Sequence, residues 1–363
     1  MDQMIDKLSI FGEISVNLKN VIKSYYVFDD NKGLNVLFIT SDDKVFAFGS
    51  NRWGVCGVGH EMVVNEPKVI TELCDKCVQQ FYNGQSFALA LTRDNKIYVW
   101  GNNQFGQLGR GFTAIEKVFK PQVIKGLEDK EIIQISCGSA HTLVLTSDGI
   151  VYGFGDNTYG QIGCGNGFGD KVCVITQVKA LPKVKSIHCS FRTSFAITDN
   201  GFVYSWGRNS WCVLGHELER NECVFEPKLI QNLQNIQSIC SSHQNTYFLS
   251  NNQNIYFCGK YYENNIECFQ LIPKLLKTDS HFQSLNSINC YRKLYPIGCV
   301  LSEGLVYSLK WNSIEKTNYK TLEEFYSNEC QMTYKTYHLK LQTELNERNF
   351  YINGNYLSFL LIY

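Results

Sequence analysis

A short glycine motif recurs at nearly constant spacing along this 363-residue chain. Its lead glycines are Gly49, Gly101, Gly155 and Gly207, at steps of 52, 54 and 52, and a weaker copy at Gly259 adds a further 52. Self-similarity at a fixed period of this length is typical of an array of like structural units. Because each unit of such an array contacts its neighbours, the spacing predicts one repeat domain that covers residues 1–363.

Each unit contains the pattern of four short β-strands. In the third unit, the apolar runs 142–146 and 150–154 flank a Ser-Asp-Gly turn, and a further run at 132–137 precedes them. Two β-rich runs joined by an Asp-Gly turn are typical of a hairpin. In the second unit a run led by Pro121 follows the glycine motif, and proline suits the start of an outermost strand because it has no N–H to donate. The pattern therefore predicts a small antiparallel sheet in each unit.

Sheets of this size bury their faces by packing side by side around an axis, so the sequence predicts an all-β, seven-bladed β-propeller. The predicted blades lie near 21–76, 77–131, 132–183, 184–235, 236–284, 285–348, and 349–363 together with 1–20. The run 8–12 matches 151–155 of the third unit, so we expect N- and C-terminal strands to complete one blade and close the ring. The stretch 312–349 interrupts the pattern, and six blades is the alternative count.

The recurring glycines and asparagines have a predicted structural role. Glycine permits sharp turns and close backbone approach, and asparagine holds a left-handed or side-chain-capped turn. The residues assigned to this role are Gly49, Asn51, Gly54, Gly101, Asn103, Gly106, Gly109, Gly155, Asn157, Gly160, Gly163, Gly207, Asn209, Gly215 and Gly259.

Composition argues against several classes of partner and location. Lys plus Arg and Asp plus Glu both number 34, so no net charge attracts nucleic acid, and no partner of that kind is expected. No apolar run reaches the length of a membrane span, so no membrane insertion is expected. The 15 cysteines are an odd number in a large chain, which favours reduced thiols and a location in the cytoplasm or nucleus.

The sequence predicts no enzyme, no cofactor and no metal site. The motifs of serine hydrolases, P-loop proteins and zinc proteases do not occur. Cys74 and Cys77 form a Cys-x-x-Cys pair without neighbouring ligands, so an ordinary connector is favoured over a metal or redox site. Cys137 and Cys189 share one register and are expected to be buried and inert. His141 is expected to be a hydrogen-bonded structural histidine rather than a catalyst.

A partner is expected to contact the long loops that follow the glycine motifs, because loops on a rigid scaffold are accessible and variable. Aromatic anchors mixed with charged residues are typical of interfaces. The candidate partner-binding residues are Arg110, Phe112, Lys117, Phe119, Phe168, Asp170, Glu217, Arg220 and Phe225.

Two motifs together resemble those of the regulator of chromosome condensation repeat family. They are the full Trp-Gly-x-Asn-x-x-Gly-Gln-Leu-Gly pattern at 100–109 and the Cys-Gly-Ser-Ala-His run at 137–141. The resemblance is strongest over 37–259. Within the family the chain is most similar to propellers that are joined to a BTB domain, and no BTB segment is recognised in this sequence.

The resemblance implies three functions. The first is a non-enzymatic scaffold that presents loops to a protein partner, in ubiquitin-linked or trafficking adaptors. The second is nucleotide exchange on a Ran-like small GTPase, for which such exchange factors use acidic and histidine residues in short loops. The corresponding loops here, 84–87, 138–141, 190–193 and 242–245, hold no carboxylate, which argues against exchange. The third is chromatin or histone binding, which the neutral charge disfavours. We therefore expect a protein partner, with a small GTPase or a ubiquitin-ligase component as candidates.

Overall fold

The computed structural model of this chain describes residues 14–29, 34–111, 116–166, 169–264 and 266–278, and the strand segments 287–290, 298–302, 305–309, 313–316 and 359–362. Six β-sheets follow one another along these residues, four with four strands and two with five. The helical elements given by the described residues include α1 (Val16–Lys19) and the 3-10 turn Arg52–Gly54.

Each sheet is one blade of an all-β propeller. Blade 1 contains β1 to β4, Ile22–Asp29, Leu34–Thr40, Val45–Gly49 and Val64–Val69. Blade 2 contains β5 to β8, Val78–Asn83, Phe87–Thr92, Ile97–Asn102 and Lys117–Val123. Blade 3 contains β9 to β12, Ile132–Cys137, His141–Thr146, Val151–Asp156 and Lys171–Gln177. Blade 4 contains β13 to β16, Val184–Ser190, Thr193–Thr198, Val203–Arg208 and Cys223–Leu229. Blade 5 contains β17 to β20, Ile236–Ser241, Asn245–Ser250, Ile255–Glu263 and Ile266–Leu275.

The sixth sheet contains β21 to β25, which are Lys277–Thr278, Ser287–Cys290, Gly298–Ser302, Leu305–Leu309 and Ser313–Lys316. The short β21 pairs in parallel with β25, whereas the other pairs in this sheet are antiparallel. The first strands of blades 1 to 5 begin at residues 22, 78, 132, 184 and 236, within one residue of the predicted blade starts.

The last described strand, β26 (Phe359–Ile362), pairs with β1, with Ser24 opposite Ile362. The predicted partner for this strand was the run 8–12, which lies outside the described residues. A C-terminal strand and a strand near the N-terminus thus share one sheet, as expected for a closed ring, although this sheet is that of blade 1. Pairing of the run 8–12 stays a prediction. The residues between 317 and 358, including the interrupted stretch, lie outside the described part, and seven blades remains a prediction.

The second strand of blades 2 to 5 is buried along its whole length because it is covered on both faces, and its polar residues lie at its ends. Every residue of β6, β10, β14 and β18 is buried. The fourth strands are more exposed, and no residue of β16 is buried, because these strands form the outer edge of each blade. The core thus lies between successive blades, which explains why the repeat shows continuous apolar runs instead of strict alternation.

The lead glycine of each motif allows the third strand to approach the second closely. Gly155 has φ +115°, and a Cβ there would lie 2.4 Å from the carbonyl oxygen of Ala140 and 2.8 Å from the Cα of His141. The second glycine has another role, because a Cβ on Gly160 would lie 2.5 Å from the Cα of Phe225 in the next blade. A side chain at either position would displace backbone, which accounts for the spacing of the motif.

The motif asparagines anchor the loop that follows the third strand. In blade 3 the Oδ1 of Asn157 accepts from the N–H of Ile162 at 3.2 Å, and its Nδ2 donates to the carbonyl of Gly169 at 3.1 Å. Asn51, Asn103 and Asn209 accept the equivalent backbone bond. Asn51 alone among these four has a left-handed backbone, with φ 52°. Side-chain capping is therefore the shared role, and it fixes both ends of the loop.

Aromatic residues at the start of the motif join neighbouring blades. The Nε1 of Trp100 donates to the carbonyl of Val55 at 2.6 Å, and the Nε1 of Trp206 donates to the carbonyl of Gln161 at 3.0 Å. Each bond runs from one blade to the preceding blade. The repeat units are thus held by buried indole hydrogen bonds as well as by apolar packing. In the described part of the chain, no helix is long and apolar enough to traverse a bilayer.

Candidate protein-interaction surface

Two sets of loops lie at the same end of each blade, because antiparallel strands return the chain to that end twice. The AB loop joins the first and second strands, and the CD loop joins the third and fourth. Neighbouring AB loops bond to one another, since Gln85 N–H donates to the carbonyl of Ser139 at 3.0 Å and Ser139 N–H donates to the carbonyl of Phe191 at 2.8 Å. We call this side of the propeller the loop end.

Each of blades 1 to 4 places one aromatic ring at the loop end. The ring belongs to the residue two positions after the motif asparagine, which is Trp53, Phe105, Tyr159 or Trp211. Phe105 is exposed and the other three are half-buried. The Oε1 of Gln161 accepts from the N–H of Tyr159 at 2.9 Å, and the turn holding the ring is thereby fixed.

A cation from the next blade lies over each of these rings. Lys117 Nζ is 5.1 Å from the centre of the Trp53 ring, and Lys171 Nζ is 5.7 Å from that of Phe105. The Trp211 ring has Lys260 Nζ at 4.6 Å. Contacts of this type contribute roughly 0.5–1 kcal/mol at exposed sites and more where water is excluded. They therefore link blades and bring positive charge to the loop end.

Two guanidinium groups lie over the Tyr159 ring. The Cζ of Arg208 lies 4.4 Å from the ring centre and that of Arg192 lies 4.8 Å from it. Arg192 comes from an AB loop and Arg208 from the end of β15, so both belong to blade 4, whereas Tyr159 belongs to blade 3. Neither arginine forms an ion pair within the described residues, and the buried Nε of Arg208 has no hydrogen-bond acceptor there.

Arg192 also lies over the Phe191 ring, at 5.1 Å, and so connects Tyr159 of blade 3 to a series of rings in blades 4 and 5. The Phe191 and His243 rings are 4.2 Å apart, and the His243 and Trp211 rings are 6.1 Å apart. Trp211 stacks on Phe269 at 6.3 Å and 19°, with the Cζ of Arg220 4.3 Å above the indole. We call this set the cation–aromatic cluster, and its members are Tyr159, Phe191, Arg192, Arg208, Trp211, Arg220, His243, Lys260 and Phe269.

Among the described residues, the carboxylate of Glu267 contacts the cluster. Glu267 lies 2.6 Å from Lys260 Nζ and 3.8 Å from a terminal nitrogen of Arg220. Burial by itself would lower the pKa of Lys260, but hydrogen bonds to Glu267 and Tyr262 outweigh it, so the pKa lies above its usual value. The buried Nε1 of Trp211 has no acceptor in the described structure. The cluster is therefore rich in positive charge and in unpaired donors.

Five of the nine predicted partner-binding residues lie at or near the loop end, and their contacts are not limited to packing between blades. Arg220 belongs to the cluster, and Lys117 covers Trp53 while pairing with Glu61 at 2.7 Å. The other three are the half-buried Arg110 and the exposed Asp170 and Glu217. Phe112 and Phe168 lie outside the described residues. A partner contact at these positions stays a prediction.

Phe119 and Phe225 are used in the packing of one blade on the next. A Cβ on Gly54 would lie 2.4 Å from the Cδ1 of Phe119, and one on Gly160 would lie 2.9 Å from the Cδ1 of Phe225. Both rings are half-buried against the preceding blade. Their main contacts are therefore structural, although the loops that lead to them lie at the loop end.

Sequence reasoning missed most of the cluster. Of its members, Arg220 alone was a candidate, although Phe191, Arg192 and His243 had been noticed as part of short loops without carboxylates. The available signal was the recurrence of an aromatic residue two positions after each motif asparagine. The cations that cover the rings are distant in sequence, so the pairing itself needed the structure.

Buried histidines are structural. The hydroxyl of Ser194 donates to the carbonyl of Gln161 at 2.6 Å, so it accepts from the Nε2–H of His141 at 3.0 Å. The Nδ1 of His141 is buried without a partner in the described structure, and burial lowers the pKa of this imidazole to about 3. His216 repeats the arrangement with Ser205 at 2.8 Å, and burial lowers its pKa to about 4. Neutral, enclosed rings of this kind fit the predicted structural role.

Twelve cysteines of the described residues are free thiols. Cys137 and Cys189 are fully buried, and burial raises the pKa of the Cys189 thiol to about 12. Cys74 and Cys77 lie in the connector between β4 and β5 as free thiols, and the Sγ of Cys74 donates to the carbonyl of Ile70. Across the described ranges, no three His, Cys, Asp or Glu side chains are grouped to hold a metal ion.

Solved structures share this fold at low sequence identity. Human WBSCR16 aligns with a TM-score of 0.64 and 19% identity over 76% of this chain and 74% of that one. Prp20p of Saccharomyces cerevisiae, described with its binding properties to Gsp1p and histones, aligns with a TM-score of 0.61 and 20% identity over 76% of this chain and 69% of that one. These likenesses support the propeller fold.

Similar sequences occur in longer proteins of different activities. The human E3 ubiquitin-protein ligase HERC2 is 33% identical over 206 residues, which are 55% of this chain and 4% of that protein. The secretion-regulating guanine nucleotide exchange factor of Bos taurus is 32% identical over 205 residues, 54% of this chain and 43% of that protein. The chain thus spans less than half the length of these relatives. The family profile described as the RCC1-like domain matches residues 32–280, more than half of the sequence, and the chain therefore belongs to the RCC1-like domain family.

Proposed function

We propose that this chain is a non-enzymatic interaction module that binds a protein partner with the loop end of its propeller. The observation that carries the proposal is the cation–aromatic cluster, in which rings and cations from three blades form one surface. Aromatic residues and arginine are the residue types enriched in interface hot spots. The rigid blades beneath hold these side chains in place, so little ordering cost is added when a partner binds.

The test compares two ends of the same molecule. The variant Tyr159→Ala with Trp211→Ala removes two rings from the loop end, and the control Asp94→Ala with Asp199→Ala removes two exposed carboxylates from the turns at the opposite end. Both are used as affinity baits in cell extract, with quantitative mass spectrometry of the captured proteins. A partner lost with the first variant and kept by the control supports the proposal. A partner kept by both, or lost equally from both, contradicts it.

Nucleotide exchange on a small GTPase is the second candidate, favoured by the exchange-factor relative named above. The AB loops of blades 2 to 5 hold Phe191, Arg192 and His243 but no carboxylate, so an exchange mechanism at these loops would depend on cations and rings. Release of a fluorescent guanine nucleotide from a panel of small GTPases tests it. Acceleration by catalytic amounts of the chain would favour exchange over simple scaffolding, and capture of histones instead would favour chromatin binding.

A further inference from the structure

The two halves of the cation–aromatic cluster differ in how their charge is balanced. Arg192 and Arg208, stacked on Tyr159, have no ion pair within the described residues. Arg220 and Lys260, stacked on Trp211, share the single carboxylate of Glu267. The half around Tyr159 is therefore a pair of cations without a carboxylate in the described structure. The half around Trp211 is a similar pair of cations with a carboxylate bound.

Glu267 reaches the cluster because the outer hairpin of blade 5 is longer than those of blades 2 to 4. In blades 2 to 4, the pairing of the third and fourth strands ends at pairs such as Asn102 with Lys117. In blade 5 it continues past Lys260 and Phe269 to Tyr262 opposite Glu267 and Glu263 opposite Ile266. The carboxylate is thus supplied by an extension of the common repeat.

The contact made by Glu267 is suited to exchange. The carboxylate is 38% exposed, and so its 3.8 Å pair with Arg220 contributes little to stability. Its 2.6 Å pair with Lys260, whose side chain is 9% exposed, is the stronger contact and the one that a partner carboxylate must replace. The guanidinium has other anchors, because its Nε donates to the carbonyl of Ser210 at 3.1 Å and its Cζ lies over both Trp211 and Phe269. Arg220 therefore stays in position when Glu267 moves away.

We infer that the cluster receives an acidic segment of a protein partner, and that Glu267 is this chain's own occupant of one of its two carboxylate sites. This inference rests on the proposed function and names the chemistry of the partner. Its support is charge complementarity: the Lys260 site already holds a carboxylate, and the Arg192 and Arg208 site lacks one. The partner's carboxylates would bind both sites and displace Glu267.

The direct test is binding of a fluorescently labelled penta-glutamate peptide to the intact chain, followed by anisotropy. Glu267→Gln removes the internal competitor and should tighten binding about twofold or more, because a partner carboxylate then gains the contact with Lys260 without displacing another carboxylate. Glu263→Gln, on the same hairpin but without an ion pair in the described structure, is the matched control and should leave affinity unchanged. Arg208→Gln should weaken binding about tenfold, because a charge-assisted hydrogen bond is lost.

Three outcomes would overturn the inference. They are equal affinity for a penta-glutamine peptide, equal competition by inorganic phosphate or a single-stranded oligonucleotide, and the same affinity in Glu267→Gln as in the unaltered chain. Melting temperatures of all variants verify that the propeller is intact. Since the assay uses a synthetic peptide, its failure leaves the capture experiment unaffected, so failure of this inference and failure of the proposed function are distinguishable.

Discussion

Replacing His141 with phenylalanine should remove a defined part of the acid sensitivity of this fold. Phe87 is the equivalent residue of blade 2, and its ring covers Gly84 as the His141 ring covers Gly138. The substitution therefore introduces a ring that the chain already uses in this register. His141→Asn, the residue type at Asn35 and Asn245 in the same register, is a second variant that also cannot titrate there.

The magnitude follows from the pKa of His141, which burial lowers from 6.5 to about 3. Below pH 6.5 the unfolded chain binds a proton that the native chain does not, so stability is complete above pH 6.5 and is lost as the pH falls. The loss is about 1.4 kcal/mol per pH unit, or about 2 kcal/mol at pH 5. Both variants should lose this contribution and keep that of His216, whose pKa is lowered in the same direction.

The assay is urea unfolding followed by tryptophan fluorescence at pH 7 and pH 5, for the unaltered chain and for both variants. Each variant should lose about 2 kcal/mol less than the unaltered chain between the two pH values. The imidazole protons of His141, observed by NMR, should not titrate over this interval. An unchanged pH dependence in both variants, or a His141 titration with a midpoint near pH 6.5, would refute the argument from burial.

Three further predictions concern packing. Gly155→Ala should cost about 3 kcal/mol or more in urea unfolding because its Cβ meets backbone, whereas Gly111→Ala, also at positive φ but with open space around it, should cost about 1 kcal/mol. Trp206→Phe should cost roughly 1–2 kcal/mol through its lost inter-blade hydrogen bond, and a value near zero would show that this bond contributes nothing. A thiol reagent should modify the exposed Cys77 in the native chain, whereas it should modify the buried Cys189 only after the chain is unfolded. Peptide mass spectrometry of the labelled protein measures both.

The sequence predicted the blades well where backbone geometry dictates the residue. Positions such as Gly155 tolerate no Cβ, so their period marks the third strands directly, and the starts of blades 1 to 5 follow within one residue. The burial of Cys137 and Cys189 was predicted for a similar reason, since one register of successive units meets the same surroundings.

The candidate surface was much less predictable. Its contacts join residues from different blades, such as Lys260 with Trp211, and no local pattern states which cation will cover which ring. Phe119 and Phe225 illustrate the same point, because their residue type is suited to an interface while the structure shows their rings covering glycines of the preceding blade. Sequence composition identifies residue types suited to binding, but three-dimensional neighbours decide which of them remain accessible.

The asparagine of each motif makes the CD loops suitable for diversification. In blade 3, Asn157 bonds to the backbone of Ile162 at one side of the loop and of Gly169 at the other, so the stem is closed by a single side chain. The interior of such a loop can change in sequence while the stem is kept, provided that contacts such as the 3.0 Å bond from the N–H of Gly165 to the carbonyl of Phe225 in the next blade are retained. A propeller built in this way can acquire new recognition sequences by exchange of loop interiors, and the same positions are where a designer would graft a foreign binding peptide.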